Sequence, residues 1–297
     1  MNSYKDQVAL LLQVLPEVGK EKCFALHGGT AINLFIRNMP RLSVDIDLTY
    51  IPIEDRETSL QKMVGALVRI KVNLEKVLPK AKITVYERIL KLQITTAKAQ
   101  IKLEVSQINR GLLDGFVELK LCKKAQEEFD AFCVMPVVSM AQLYGGKICA
   151  ALGRQHPRDL FDVKYLLENE GFTEDIKKGF LLLLLSSNRP LNEMLQPHLI
   201  DQKATMANLF QGMTSEPFSY GDFERNRIRL IETIHQSLTA KDKSFLLSFS
   251  NLTPDWRIYD FERFPAVQWK LQNLTKLKTS DLGKFNALNT ALKNLLS

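Results

Sequence analysis

The chain has 297 residues, of which 45% are hydrophobic and 25% are charged, and its formal net charge is +7. This length and composition support a substantial core in one large domain or two. The longest apolar run, residues 180–185, is too short to cross a bilayer, the first residues lack the layout of a secretion signal, and the four cysteines lack metal-binding spacing. We therefore expect a cytoplasmic protein with reduced cysteines, no zinc site and no membrane partner.

Periodic apolar residues and turn signals predict the elements in chain order. Predicted helices span residues 5–20, 31–38, 58–78, 176–185, 225–238 and 240–250, and the first two are stopped by Pro16 and Pro40. Predicted strands span residues 23–26, 83–86, 90–95 and 100–108, the last two being joined by a turn at 96–99. Residues 111–124 are ambiguous and can hold another short strand. This order indicates an α+β core at 1–135 followed by a helical domain at 136–297.

The most informative motif is a pair of glycines followed by a pair of aspartates. Gly28 and Gly29 precede a helix predicted to start at Thr30, and a short strand then carries Asp45 and Asp47. Alternate side chains of a strand share a face, so the two carboxylates are about 6–7 Å apart along the chain and can converge on hard cations such as Mg²⁺. The glycines leave room for a triphosphate, and a helix N-terminus favours an anion. The combination predicts nucleotidyl transfer, whereas either half alone is more often a turn or a solvated strand edge.

A second motif lies in residues 143–166, which are predicted to form two helices. Lys147 and Arg154 are two turns apart and share one face of the first helix. A fixed lysine and arginine can neutralise the charge that develops as pyrophosphate departs. Asp159, near the start of the second helix, can instead cap that helix or hold an arginine. For Asp162, a structural ion pair is favoured over direct catalysis.

These residues resemble the polymerase-β-like nucleotidyltransferases. They are more closely similar to the AbiEii/AbiGii toxin family of bacterial abortive-infection and toxin–antitoxin systems, which includes the MenT-type toxins. The motifs that carry the resemblance read Gly-Gly-Thr-Ala at 28–31, Arg-x-Ser-x-Asp-Ile-Asp-Leu at 41–48, and Lys-x-x-Ala-x-x-x-Arg with Arg-Asp-x-x-Asp at 147–162. A faint likeness continues to residues 269–274. The resemblance implies a polymerase-β-like core, with a mixed sheet and flanking helices, followed by a helical C-terminal domain.

The resemblance also implies a set of site residues. The implied metal ligands are Asp45, Asp47 and Glu104. The implied catalytic residues are Asp45, Asp47, Glu104, Lys147 and Asp159. The implied nucleotide-binding residues are Gly28, Gly29, Thr30, Arg41, Ser43, Lys147 and Arg154. Glu104 matches the family's third carboxylate on a neighbouring strand, although it is equally well an ordinary solvent-facing glutamate. Ser43 is a phosphate contact, a site of silencing modification or a plain polar residue, and the sequence leaves these alternatives open.

The expected function is that of a toxin that transfers nucleotides from an NTP to an RNA, most readily the 3′ end of tRNA, and thereby blocks translation. Two Mg²⁺ ions, replaceable by Mn²⁺, would assist, and an antitoxin would be the partner. The alternatives are a protein or small-molecule acceptor, or a nucleotide-binding protein without turnover. The net charge permits RNA binding without showing it, and the cluster Arg225, Arg227 and Arg229 is either an RNA-facing surface or a solvated helix face. Trp256 and Trp269 are expected to anchor the C-terminal region onto the body.

Overall fold

The structure is a computed structural model that describes residues 4–297. Residues 1–3, which belong to the N-terminal segment interpreted above as lacking a secretion signal, lie outside the described residues. The chain divides into two compact units. The first contains the described residues up to Leu143 together with Phe210–Pro217, and the second contains Tyr144–Leu209 and Phe218–Ser297. Residue 135, where the sequence placed a boundary, lies within a strand of the first unit.

The first unit contains a mixed sheet with helices. Its strands are β1 (Phe24–His27), β2 (Asp45–Tyr50), β3 (Lys82–Tyr86), β4 (Lys91–Thr95), β5 (Gln100–Arg110), β6 (Phe116–Lys120) and β7 (Val134–Val138). Its helices are α1 (Tyr4–Val18), α2 (Gly28–Ala31), α3 (Arg56–Val77), α4 (Lys123–Phe129) and the start of α5 (Met140–Arg154). A π-helical turn, Ile32–Ile36, continues α2, and a 3₁₀ turn, Glu87–Ile89, precedes β4.

The seven strands form one sheet in the order β3-β4-β5-β2-β1-β7-β6. The pairs β2–β5 and β1–β7 are parallel, and the other neighbours are antiparallel. Along β5, Ile101, Leu103 and Val105 are buried, while Lys102 and Glu104 are part-exposed. This alternation is the one expected for a sheet with one buried and one open face. The α+β fold with a mixed sheet is confirmed.

Two helix predictions in the first unit need correction. Helix α1 was expected to stop near Pro16, but it runs to Val18 with the proline in its last turn. The helix predicted at 31–38 begins at Gly28 and ends at Ile36. Its second half is π-helical, and the Asn33 side chain donates a hydrogen bond to the Gly29 carbonyl (2.9 Å). The strands and α3 lie within two residues of their predicted positions.

The second unit is helical. After the remainder of α5 it contains α6 (Pro157–Asn169), α7 (Glu174–Leu185), α8 (Leu191–Leu195), α9 (Lys203–Thr205), α10 (Tyr220–Ser237), α11 (Ala240–Ser250), α12 (Pro265–Ser280) and α13 (Leu282–Leu296). Helix α6 begins with a proline at its first position, and helix α7 is capped by the side chain of Thr173. Within residues 4–297, no helix combines the length and apolar character that a membrane span needs.

An aromatic cluster anchors the C-terminal helices of the second unit. The ring of Phe245 contacts those of Trp256, Tyr259 and Phe261 at centroid distances of 6.1, 5.1 and 6.1 Å. Trp256 therefore serves the anchoring role expected of it. Trp269 does not, because its side chain lies on the outward side of α12 and is 47% exposed.

Lys270 is buried on the inward side of α12. Its ammonium donates to the carbonyls of Ser187 (2.7 Å) and Arg189 (2.6 Å), and the residue is 8% exposed. Burial lowers the pKa of this amine to about 8, although the charge of Glu193 works in the opposite direction. The protonated amine therefore destabilises the folded state relative to the unfolded chain, in which it is solvated.

We compare the free energy of unfolding of the wild type with that of the Lys270→Met variant. As the pH rises from 7 to 9.5, we expect this difference to shift by about 2 kcal/mol in favour of the wild type. Below pH 8 the amine is protonated in both states and the full cost is present. As the pH rises from about 8 towards 10.5, the folded state releases its proton first, so the cost disappears. Urea unfolding at several pH values measures the difference. The variant is needed because the raised pKa values of Cys23, Cys133 and Cys149 lower stability over a similar range. Parallel curves for the two proteins would contradict the assignment.

Candidate active site

Two glycines, the first residues of α2, form the turn that leaves β1, and the first of them is required there. Gly28 has a φ of +71°, and a Cβ atom added there would collide with Oδ2 of Asp47. A Cβ atom on Gly29 would lie 2.8 Å from an Nη atom of Arg41 and 3.0 Å from Oγ of Ser43. The side chains of Arg41, Ser43 and Asp47 therefore lie directly against this turn.

Thr30 and Ser43 fasten the turn to the strand that carries the aspartates. The hydroxyl of Thr30 donates to the main-chain oxygen of Asp45 (2.5 Å), and its oxygen lies 3.1 Å from Oγ of Ser43. Thr30, Ser43 and Arg41 are buried, with exposures of 0, 5 and 3%. Thr30 was predicted to start the helix, but it lies inside α2, because the positive φ of Gly28 lets the helix begin directly after β1.

The segment before β2 is held by the other part of the first unit. The main-chain N–H of Leu42 donates to the carbonyl of Met213 (2.7 Å), and the hydroxyl of Thr214 donates to the carbonyl of Pro40 (2.9 Å). Both partners belong to the stretch Phe210–Pro217. Residues distant in sequence therefore fix the approach to Asp45.

The two aspartates share a face of the sheet with a charged neighbour on each row. Asp45 is the register partner of Lys102, and Asp47 is the register partner of Glu104 on β5 and of His27 on β1. Ile46 and Leu48, between and after the aspartates, are buried on the opposite face. Both aspartates thus lie on one face of the strand, as predicted, and the carboxylate of Asp47 lies next to the glycine turn.

Glu104, which lies beside Asp47, forms ion pairs with two lysines of the same face. Nζ of Lys102 lies 3.1 Å from one carboxylate oxygen of Glu104, and Nζ of Lys91 lies 3.6 Å from the other. Burial alone would lower the pKa of Lys102, but the charge of Asp45, the hydrogen bond to Glu104 and the charges of Glu104 and Asp47 raise it above its usual value. Lys102 is therefore a fixed cation beside three carboxylates.

The carboxylates of this site offer a divalent cation two ligands and not a complete coordination shell. Within residues 4–297, no group of three or more His, Cys, Asp or Glu side chains is arranged so that it could hold a metal ion. Asp45 and Asp47 nevertheless fit Mg²⁺, which is commonly bound by one or two carboxylates and completes its shell with water and phosphate oxygens. The absence of a side chain at Gly28 lets the Asp47 carboxylate lie directly against the turn. Glu104 is paired with lysines here, so its role as a third ligand stays a prediction.

In the second unit, Lys147 is held by two carboxylates. Its Nζ lies 2.9 Å from both Asp159 Oδ1 and Asp162 Oδ2, and all three residues are at most 6% exposed. Arg154 donates from Nε (2.6 Å) and Nη2 (2.9 Å) to Asp159, while 60% of its side chain is exposed. Asp159 therefore bridges a buried lysine and a largely exposed arginine, and Asp162 forms the ion pair expected of it.

The charges of this cluster determine its ionisation. Burial alone would raise the pKa of the Asp159 carboxyl, but Lys147 and Arg154 outweigh that effect and hold the pKa well below its usual range. The carboxylate therefore stays ionised at neutral pH. The bidentate contact also fixes the plane of the Arg154 guanidinium.

The arginines of α10 are structural or paired. Arg227 is buried and donates to Gln155 Oε1 (2.9 Å) and to the Ile200 carbonyl (2.7 Å). Arg225 pairs with Asp222, and Arg229 donates to the Leu167 carbonyl (3.3 Å). The interpretation of these three residues as one RNA-facing surface is wrong for Arg227, which points into the second unit.

Comparison with protein families gives one match that spans most of the chain. Residues 9–273 match the family described as nucleotidyl transferase AbiEii toxin, type IV toxin–antitoxin system. The chain belongs to the AbiEii family. The AbiEii match includes both the Asp45/Asp47 motif and the Lys147/Asp159 motif, so the resemblance inferred from these motifs is confirmed. This AbiEii protein is a nucleotidyltransferase toxin of a type IV toxin–antitoxin system.

Among solved structures, the AbiEii chain is similar to MenT4, the nucleotidyltransferase toxin Rv2826c from Mycobacterium tuberculosis H37Rv. The TM-score is 0.61 at 14% sequence identity, and the similarity covers 91% of this chain and 93% of MenT4. At this identity the likeness establishes a shared fold. None of the curated proteins matches the sequence.

Sequence reasoning missed part of the surroundings of the AbiEii aspartates. Lys91, Lys102 and His27 lie on the same two rows as Asp45 and Asp47, yet none was singled out. Alternation along 100–108 shows that Lys102 and Glu104 share a face. The lateral register, which places Lys102 beside Asp45, depends on a parallel pairing between strands more than fifty residues apart and is not visible in the sequence.

Proposed function

We propose that this AbiEii enzyme transfers a nucleotide from an NTP to the 3′ end of a tRNA, with a divalent cation such as Mg²⁺ held by Asp45 and Asp47. The observation that carries the proposal is the position of these two carboxylates on one sheet face, with Asp47 packed directly against the glycine turn. A bound cation would supply charge neutralisation for the triphosphate and for the departing pyrophosphate.

The residues around the turn are proposed to bind the nucleotide. Gly28 and Gly29 are proposed to present their main-chain groups to phosphate oxygens, while Thr30, Ser43 and Arg41 pack against the turn and hold it in place. Because these three side chains are buried, we assign them a positioning role. This refines the expectation that each contacts the nucleotide.

Glu104 and Lys102, which lie beside the aspartates, are proposed to act on the acceptor hydroxyl and on the substrate phosphates. Glu104 lies beside Asp47 and can take the proton of an attacking hydroxyl once its lysine contacts loosen, or bind a second cation. Lys102 places a positive charge next to Asp45, where phosphate oxygens of the substrates would be drawn.

The cluster of the second unit is proposed to stabilise phosphate charge through Arg154. Its guanidinium is largely exposed and is aimed by Asp159, so it can donate remaining N–H groups to phosphate oxygens. Lys147 was expected to contact phosphate directly. Its two carboxylate partners make it a positioning residue for Asp159 in the arrangement observed.

RNA is the proposed acceptor because the stretch that ends α3 and forms β3, β4 and the start of β5 is strongly basic. Residues 69–102 contain nine Lys or Arg and two Glu, a net charge of +7 in a chain whose total is +7. Contacts between such side chains and phosphates provide much of the affinity for nucleic acid. The toxin–antitoxin assignment of the family also leads us to propose a cognate antitoxin as partner.

The test uses purified protein, Mg²⁺, each of the four α-³²P-labelled NTPs in turn, and total tRNA. We expect label on tRNA, and no label when the 3′-terminal diol has first been oxidised with periodate. Label that survives periodate treatment would exclude the 3′ end as acceptor. Label on protein alone would replace tRNA with a protein acceptor.

A further inference from the structure

An open, polar sheet face extends from the paired aspartates to the edge of the sheet. The row that contains Asp47 continues through Glu104 on β5 and Lys91 on β4 to Tyr86 on the edge strand β3. Strands are spaced by 4.7–4.9 Å, so Tyr86 is roughly 14 Å from Asp47 along this row. The face thus connects the proposed site of chemistry with an aromatic side chain.

The adjacent rows of this face carry groups that suit a polyanion. Lys102, Gln93 and Thr84 follow Asp45 across β5, β4 and β3. Lys82 lies on the next row of β3, two residues from Thr84 and on the same side of the strand. The opposite face of these strands is apolar and buried. Its members are Ile83, Leu92, Ile94, Ile101 and Leu103.

The side chains of the face are accessible. Tyr86 is 42% exposed, Lys82 is exposed, and the side chain of Lys102 retains 41% of its accessible surface. Tyr86 thus presents an aromatic ring to solvent on the edge strand, in the row that contains Asp47. Tyrosine also offers a flat ring on which a base can stack.

We propose that the single-stranded 3′ end of the RNA acceptor lies across β3, β4 and β5, with a base stacked on Tyr86 and its phosphates near Lys82 and Lys91. The proposal rests on the proposed RNA acceptor and specifies where that acceptor binds. Sheet faces that combine stacking aromatics with basic residues are a common way to bind single-stranded RNA. On this face the terminal hydroxyl would be directed along the row towards Glu104 and Asp47.

The first test measures binding of an RNA hairpin with a short single-stranded 3′ overhang by fluorescence anisotropy. We expect Tyr86→Ala to weaken binding roughly tenfold to a hundredfold, as loss of one base stack predicts. Tyr86→Phe keeps the ring and should bind within about twofold of the wild type. Phe132→Ala is the matched control, since Phe132 is a 60% exposed aromatic of the same unit outside the sheet.

The second test reverses charge. Lys82→Glu should weaken binding of the same RNA and reduce its salt dependence, whereas Lys123→Glu, which changes an exposed lysine on α4, should change binding much less. Thermal melting of each variant confirms that the fold is kept. Since Lys82 is at the surface, neither substitution is expected to affect melting.

The outcomes separate this proposal from the proposed function. Transfer to tRNA with an RNA KM unchanged in Tyr86→Ala would overturn the acceptor face and leave the proposed function standing. RNA binding that depends on Tyr86, without any transfer to RNA, would support the face and contradict the proposed function.

Discussion

Replacement of Asp47 by asparagine is expected to lower the rate of nucleotide transfer by about a thousandfold or more, equivalent to at least about 4 kcal/mol of transition-state stabilisation. The amide has the shape of the carboxylate but not its charge, so it cannot hold a hard cation beside the triphosphate. Asp45→Asn should have a similar effect. Initial rates at saturating NTP and Mg²⁺ measure the loss.

The fold should be unaffected by these two changes. Asp47 is part-exposed on the open face of β2, while the core of the strand is formed by Ile46 and Leu48 on the other side. Glu87→Gln, an exposed acid of the same unit, is the control and should retain full activity. An Asp47→Asn protein that melts like the wild type and keeps even a tenth of its rate would contradict the assigned role.

Gly145→Ala is expected to destabilise the second unit by about 3 kcal/mol or more. A Cβ atom at this position of α5 would lie 2.7 Å from the main-chain nitrogen of Phe180 and closer still to the carbonyl group of Gly179. The obstacle is the backbone of α7, so no change of side-chain rotamer relieves it. The helices would have to separate, with loss of packing around the fully buried Phe180.

Gly153→Ala is the matched control on the same helix. There the added methyl group would meet only Met194, at 3.8 Å or more, so the better helix propensity of alanine should make the change neutral or stabilising by up to about 1 kcal/mol. Trp256 and Trp269 both belong to the second unit, and their fluorescence during urea unfolding reports on it. Equal unfolding midpoints for the two variants would contradict the close contact between α5 and α7.

The sequence was sufficient to predict the relation between the glycine turn and the aspartates. Strand alternation places Asp45 and Asp47 on one face whatever the neighbouring strands are, and a turn with positive φ at residue 28 favours glycine there. The α+β class followed from the order of strands and helices. These features depend on local geometry, which is why they could be read from consecutive residues.

Features set by contacts between distant residues could not be predicted. Strand β7 was missed because Pro136 interrupts its apolar run, although its parallel neighbour β1 stabilises it. The lysine that was expected to meet phosphate, Lys147, is surrounded by Asp159 and Asp162, and helix periodicity shows which residues share a face but not which of them form ion pairs. The exposure of Trp269 likewise depends on how α12 is rotated in its unit.

Whether Asp45 and Asp47 hold a divalent cation can be tested directly with NTP analogues whose α,β-bridging oxygen is replaced by a methylene group. Their binding is measured by isothermal titration calorimetry with Mn²⁺ or with EDTA. Wild-type protein should bind at least one analogue more than tenfold tighter with Mn²⁺ than with EDTA, and Asp45→Asn and Asp47→Asn should each abolish this difference. Binding that is equally strong with and without Mn²⁺, or a metal dependence that survives in both variants, would show that these two carboxylates do not hold the cation.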